Sequence, residues 1–116
     1  MKYEAETRPW GMYQVLLDTE FTKVKLITVA PESRLSLQSH KKRQEQWTLV
    51  RGTLTVVLND LEYTLAATGE SIKIPLGAKH RAWNKTDKLV QFVEVQTGQY
   101  FGEDDIVRYE DDYKRV

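Results

Sequence analysis

Two histidines, His40 and His80, are the whole imidazole complement of the chain, and each stands in a segment carrying other features of a metal site. Residues 35–52, LSLQSHKKRQEQWTLVRG, bring Gln38, His40 and Glu45; residues 69–84, GESIKIPLGAKHRAWN, bring His80. Successive side chains of a strand alternate faces, so Gln38 and His40 belong to one side. Glu45 follows a polar run, residues 41–44, that reads as the connection into the next strand, and its carboxylate can turn back toward His40. Two imidazoles, a carboxylate and an amide oxygen suit zinc or a divalent transition metal better than calcium or magnesium, which prefer all-oxygen shells. The expected cofactor is one divalent ion per chain, zinc or else manganese, iron, cobalt or nickel, held by Gln38, His40, Glu45 and His80. Gln38 is the weakest of the four, since a neutral amide can serve by hydrogen-bonding a bound water.

An isolated histidine is more often an ordinary, partly buried side chain than a ligand, and a lone glutamate is usually solvated. Spacing decides against that reading. The first segment runs Gln-x-His, four residues, Glu, six residues, Gly; the second runs Gly, five residues, Pro-x-Gly, two residues, His, three residues, Asn. This two-part pattern resembles the paired motifs of the cupins, with Gln38 where many cupins carry a first histidine.

The elements that must position these residues read as strands. Residues 13–17, 23–29, 35–40, 46–50, 54–58, 61–65, 70–74, 80–84 and 89–96 are short runs rich in β-branched and apolar residues, punctuated by Gly, Asn, Asp and Pro. Even spacing of this kind argues for an antiparallel sandwich or barrel. Asn59-Asp60, between two alternating runs, reads as a tight hairpin turn that puts Leu54, Val56 and Leu58 on one face. The first eleven residues, ending in Arg8-Pro9-Trp10-Gly11, read as irregular. The tail from Gly102 reads as a short helix capped by Asp104, with Ile106, Tyr109 and Tyr113 on the docked edge and Lys114-Arg115 suiting its C-terminal dipole. Trp47 and Trp83 read as core or pocket wall. The fold expected is all-β, a double-stranded β-helix or jelly-roll barrel with a short C-terminal helix, occupying residues 1–116 as a single cupin domain.

Composition limits the partners. Seventeen basic residues balance seventeen acidic ones, and no basic stripe is concentrated anywhere, which argues against nucleic acid. The absence of cysteine excludes disulfides, thiolate nucleophiles and cysteine-bound zinc. No apolar run reaches membrane-spanning length, and the N-terminus lacks a signal-peptide core, so the chain reads as cytoplasmic with no membrane partner. An antiparallel barrel has edges to protect, and a homodimer is expected.

Four stretches narrow the resemblance further: RPWGMY at residues 8–13, LSLQSHKKRQEQW at 35–47, IPLGAKHRAWN at 74–84 and EVQTGQYFGEDDIVRYEDDY at 94–113. They closely resemble the mannose-6-phosphate isomerase domain of the type II family, usually carried behind a mannose-1-phosphate guanylyltransferase domain. The resemblance implies a cupin barrel, a divalent metal at the four positions above, interconversion of mannose 6-phosphate and fructose 6-phosphate, and an arginine, here Arg43, important to activity. It does not extend to the guanylyltransferase, for which this chain has no Gly-rich phosphate loop. The family commonly shows histidines where this chain has Lys41, Lys42 and Gln46, and glycine where it has Glu32 and Lys114.

Aldose–ketose isomerisation moves a proton between C2 and C1, so it needs a base at those carbons and stabilisation of developing oxyanion charge. Arg43 is the candidate catalytic residue and, with Arg81 and Arg115, the candidate phosphate contact, because a forked guanidinium matches a phosphate. The base stays open: Glu94 has the right chemistry, but Val93 and Val95 compete with it for the interior. Two other functions fit the same ligands, a non-catalytic metal-supported sugar-binding cupin and a non-haem metal oxygenase.

Overall fold

The computed structural model describes residues 4–114. The chain folds as two six-stranded antiparallel sheets packed face to face. The first sheet holds, in spatial order, β1 (Ala5–Arg8), β2 (Gly11–Asp18), β3 (Thr22–Val29), β11 (Val90–Gly98), β6 (Arg43–Arg51) and β9 (Ser71–Ile74). The second holds β12 (Val107–Glu110), β5 (Leu37–Ser39), β10 (His80–Asn84), β7 (Leu54–Leu58) and β8 (Leu61–Leu65), with β4 (Ser33–Arg34) paired to β10. Between the sheets Trp10, Ile27, Val29, Trp47, Leu49, Leu54, Val56, Ile74, Val90 and Phe92 form the core. The jelly roll read from the sequence is the fold observed.

Turn chemistry explains the hairpins. Asn59 and Asp60 both adopt positive φ, 48° and 70°, the geometry a two-residue turn needs to follow the twist of β7 and β8. At the N-terminus the expectation of irregular structure does not hold for residues 5–8. Pro9 and Trp10 form the turn itself, β1 pairs with β2 on either side of it, and Trp10 is buried in the core. Pro and Gly marked the bend, not the absence of strands. Gly11 is needed there, because a Cβ would lie 2.0 Å from the Thr28 carbonyl oxygen.

The C-terminal helix is absent among the described residues. Residues 107–110 instead form β12, which adds antiparallel to β5 with Val107 opposite Ser39 and Arg108 opposite Gln38. A helix of so few residues gains little alone, whereas Val107 and Tyr109 suit a strand and the edge of β5 offers open backbone groups. Asp104, the expected cap, therefore caps no helix, and the carboxylate of its neighbour Asp105 accepts from the backbone N–H groups of Lys41 and Lys42 at 3.1 and 2.9 Å. Of the expected docking edge, Tyr113 packs against the core and Ile106 is half-buried, whereas Tyr109 is exposed; Arg34 bonds Asp112 at 2.7 Å.

Glu32 and Lys114, which stand where the resembled family has glycine, both have positive φ, 52° and 58°. An L-residue pays roughly 1–2 kcal/mol for that region, partly offset by the entropy a glycine loses on folding. Glu32→Gly is therefore expected to stabilise the fold by up to about 1 kcal/mol, seen as a rise of a few degrees in the thermal midpoint. A fall in the midpoint would show that the Glu32 side chain contributes contacts outweighing its backbone cost.

Candidate metal centre and adjoining cavity

Strand alternation places the ligands. On β6 the residues Arg43, Glu45, Trp47 and Leu49 face inward and are all buried. His80 opens β10, directly opposite Gln38 of β5 and Leu58 of β7. His40 lies just beyond β5, and its carbonyl accepts from the N–H of Gly77 at 2.8 Å, so the Pro-x-Gly turn of the second segment ties down the histidine of the first. Gly77 has φ of 75°, which glycine takes at little cost.

His40, Glu45 and His80 thereby offer three ligand atoms within 4.8 Å of one another, all buried. The Nε2 atoms of His40 and His80 lie 3.7 and 3.8 Å from the two oxygens of Glu45. These separations are too long for hydrogen bonds but match groups sharing one ion about 2.1 Å from each. Outer partners orient the set. His80 Nδ1 donates to the Ala78 carbonyl at 3.0 Å, leaving Nε2 as the ligand atom. Trp47 Nε1 donates to Glu45 Oε1, and Arg43 Nε to Glu45 Oε2, both at 2.9 Å. Burial drives the His40 pKa down to about 3, with the Arg43 charge adding to it, and burial lowers His80 as well. Both imidazoles are therefore neutral near pH 7, as ligation requires. Arg43 Nη2 donates to His40 Nε2 at 2.9 Å, which leaves the proton on Nδ1, a buried atom without a partner. The donor set itself, two neutral imidazoles and a carboxylate converging within 4.8 Å, fits a nitrogen- and oxygen-ligated divalent metal.

Beside the ligands lies a cavity of about 170 Å³, lined among others by Gln38, Arg43, Glu94, Arg108, Lys25 and Glu103. Gln38 donates its amide N–H to Ser36 Oγ at 2.9 Å, so the oxygen, the atom a cation would use, is its remaining end. Two guanidinium N–H groups bordering the cavity, Arg43 Nη1 and Arg108 Nε, are buried without partners. Glu94 faces inward on β11 in phase with Phe92 and Gln96, while Val93 and Val95 sit on the half-buried outer side. Its pKa is raised to about 7, chiefly by burial and then by the charge of Glu45.

Other residues singled out from the sequence lie elsewhere. Arg81 follows His80 by one and so projects from the opposite face, where it donates to the Leu35 carbonyl at 2.9 Å and to Glu110 at 3.1 Å. It secures β12 and is not gathered with the ligands. Arg115 lies outside the described residues. Trp83 is on the outer face, between Arg34 and Lys85, not in the core. Lys41, Lys42 and Gln46 are exposed. Arg108 was missed because it was assigned to a helix. The phase set by Phe92 was the signal that could have placed Glu94.

A jelly-roll barrel gathering two imidazoles and a carboxylate between its sheets is a cupin, and solved structures agree. CapF, a capsular polysaccharide assembling protein from Staphylococcus aureus, superposes with a TM-score of 0.84 at 18% identity, covering 95% of this chain and 33% of that one. KdgF from Halomonas sp. gives 0.76 at 12% identity, covering 90% of each chain. Within the cupins, the family described as "Mannose-6-phosphate isomerase C-terminal" matches residues 2–111, and the chain belongs to that family. Relatives include the xanthan biosynthesis protein XanB of Xanthomonas campestris pv. campestris strain B100, 46% identical over 109 residues that make up 94% of this chain and 23% of that protein. The mannose-1-phosphate guanylyltransferase ManC of Salmonella typhimurium is also 46% identical, over 94% of this chain and 22% of its own length. The alginate biosynthesis protein AlgA of Pseudomonas aeruginosa is 44% identical with the same coverage. The chain spans less than a quarter of the length of these relatives.

Proposed function

We propose that the chain is a metal-dependent isomerase that interconverts mannose 6-phosphate and fructose 6-phosphate in the cytoplasm. The observation that carries this reading is the juxtaposition, in a chain of this family, of a three-ligand centre with a cavity holding unpartnered guanidinium N–H groups and a buried carboxylate. A divalent ion held by His40, Glu45 and His80, with Gln38 as a possible fourth partner, would supply Lewis-acid polarisation of the sugar oxygens. Arg43 Nη1 and Arg108 Nε are charged donors suited to the phosphate. Burial excludes water from Arg43 and Glu94, which strengthens their action on charge developing in the cavity.

The departures from the resembled family at Lys41, Lys42 and Gln46 lie on the exposed side, so none of them alters the interior groups that line the cavity. That favours catalysis over sugar binding without turnover. The protein supplied with manganese, zinc or cobalt and mannose 6-phosphate in D₂O is expected to form fructose 6-phosphate and to exchange the C2 proton, and EDTA should abolish both. Absence of ketose and of exchange from metal-loaded protein would replace the isomerase by the sugar-binding reading.

A further inference from the structure

The reaction proposed above needs a base at C2 of the sugar, and Glu45 cannot serve, since both its oxygens are taken by Trp47 and Arg43 and face the histidines. We propose that Glu94 is the catalytic residue that carries the proton between C2 and C1, an inference that rests on the isomerase reading. Placement is the argument. Glu94 is a buried carboxylate in the wall of the same cavity that Gln38, Arg43 and Arg108 line. Its strand pairs with β6, where Glu94 stands opposite Trp47 and Gln96 opposite Glu45, so the carboxylate is one step along the interior face from the ligand set.

Neither neighbouring cation forms an ion pair with Glu94. Arg43 bonds Glu45 and His40, and Lys25 Nζ bonds Glu103 Oε1 at 3.0 Å. Gln96 Nε2 donates to Glu94 Oε1 and fixes the orientation of the carboxyl group. A carboxylate steered by a neutral amide and not neutralised by an ion pair keeps its basicity, which a bond to Arg43 or Lys25 would lower.

The step balances without a further reactant. The C2–H bond of open-chain mannose 6-phosphate breaks and its proton goes to Glu94. The electron pair forms the C1=C2 double bond as the carbonyl pair moves to O1. The proton of the C2 hydroxyl then passes to O1, O2 becomes the new carbonyl oxygen, and the Glu94 carboxyl returns its proton to C1.

Glu94→Gln keeps the volume and an acceptor for Gln96 but removes the base. It is expected to lower kcat and the exchange of the C2 proton together by about 10²–10⁴-fold. KM, bound manganese and the calorimetric affinity for a hexitol 6-phosphate, which has no carbonyl to isomerise, should stay within about threefold. In Glu94→Ala, formate should restore turnover in a saturable way, which a purely structural role would not allow. Glu94→Asp covers a Gln variant that does not fold: it should bind the hexitol phosphate normally and turn over more slowly than wild type. A Glu94→Gln enzyme within tenfold of wild-type kcat, a parallel loss of hexitol phosphate binding, full activity in Glu94→Asp, or no response to formate would each overturn the role of Glu94. An inactive wild type would remove the isomerase reading and this inference together, whereas an active wild type with an active Glu94→Gln variant removes this inference alone.

Discussion

The double variant His40→Ala/His80→Ala is expected to retain no divalent metal after dialysis and to show no isomerase turnover. Without the imidazoles only the Glu45 carboxylate and the weakly ligating Gln38 amide remain, whereas the wild-type chain presents three converging His and Glu ligand atoms within 4.8 Å. Each single substitution should weaken binding by more than the 10- to 100-fold that loss of an outer partner costs. Gln38→Ala should fall below that range. Metal analysis by mass spectrometry and calorimetric titration of manganese check this, and full metal content in the double variant would show that the ligands lie elsewhere.

The same burial sets the pH response. From ordinary histidines, metal would be displaced by protons below about pH 6.5. With His40 held down at about 3 and His80 also lowered, protons do not compete in the folded protein until well below that. The cost appears in stability. Below about 6.5 the unfolded chain binds protons that His40 and His80 refuse in the folded metal-free chain, so their contribution to stability falls as pH drops from 6.5 toward 3. Glu94 partly offsets this, because its pKa, raised to about 7, lets the folded chain take up a proton first. Chelated protein should therefore unfold in mild acid at pH values where the metal-loaded protein stays folded.

What the sequence made legible was whatever local rules determine. Strand periodicity, the Asn59-Asp60 turn and the spacing of His40, Glu45 and His80 are short-range patterns, and the structure realises each of them. The misreadings arose where tertiary partners override local preference. Residues 104–113 carry helical spacing, yet the open edge of β5 converts part of them to strand, and with that Arg108 enters the cavity wall. On β11, Val93 and Val95 look like the core face, but Val90 and Phe92 occupy it, which turns Glu94 inward. Arg81 shows the reverse: its distance from His80 in sequence is one, and in a strand that parity sends it away from the ligands, to Leu35 and Glu110. Polar residues on an interior face are what a hydrophobic pattern reads worst, and here they compose the cavity.

Arg43→Met is expected to destabilise the metal-free protein by about 3 kcal/mol or more, the cost of leaving a buried carboxylate without its cationic partner. In the wild-type chain the guanidinium donates to Glu45 Oε2 and to His40 Nε2, two of the atoms a metal would use, and so compensates the negative charge at the heart of the site. A divalent ion held by His40, Glu45 and His80 would supply compensating positive charge as well. Saturating manganese should therefore raise the thermal midpoint of Arg43→Met by more than it raises that of wild type, because the variant has more to gain from the bound ion. Arg43→Lys keeps a charge without the fork, so it should recover part of the metal-free stability and little of the substrate affinity. The Michaelis constant for mannose 6-phosphate should rise in both variants as the Nη1 donor is lost, while metal content stays full. Equal thermal shifts in wild type and Arg43→Met would mean that Glu45 is neutralised by some other group, and Arg43 would then be left with the phosphate as its only partner in function.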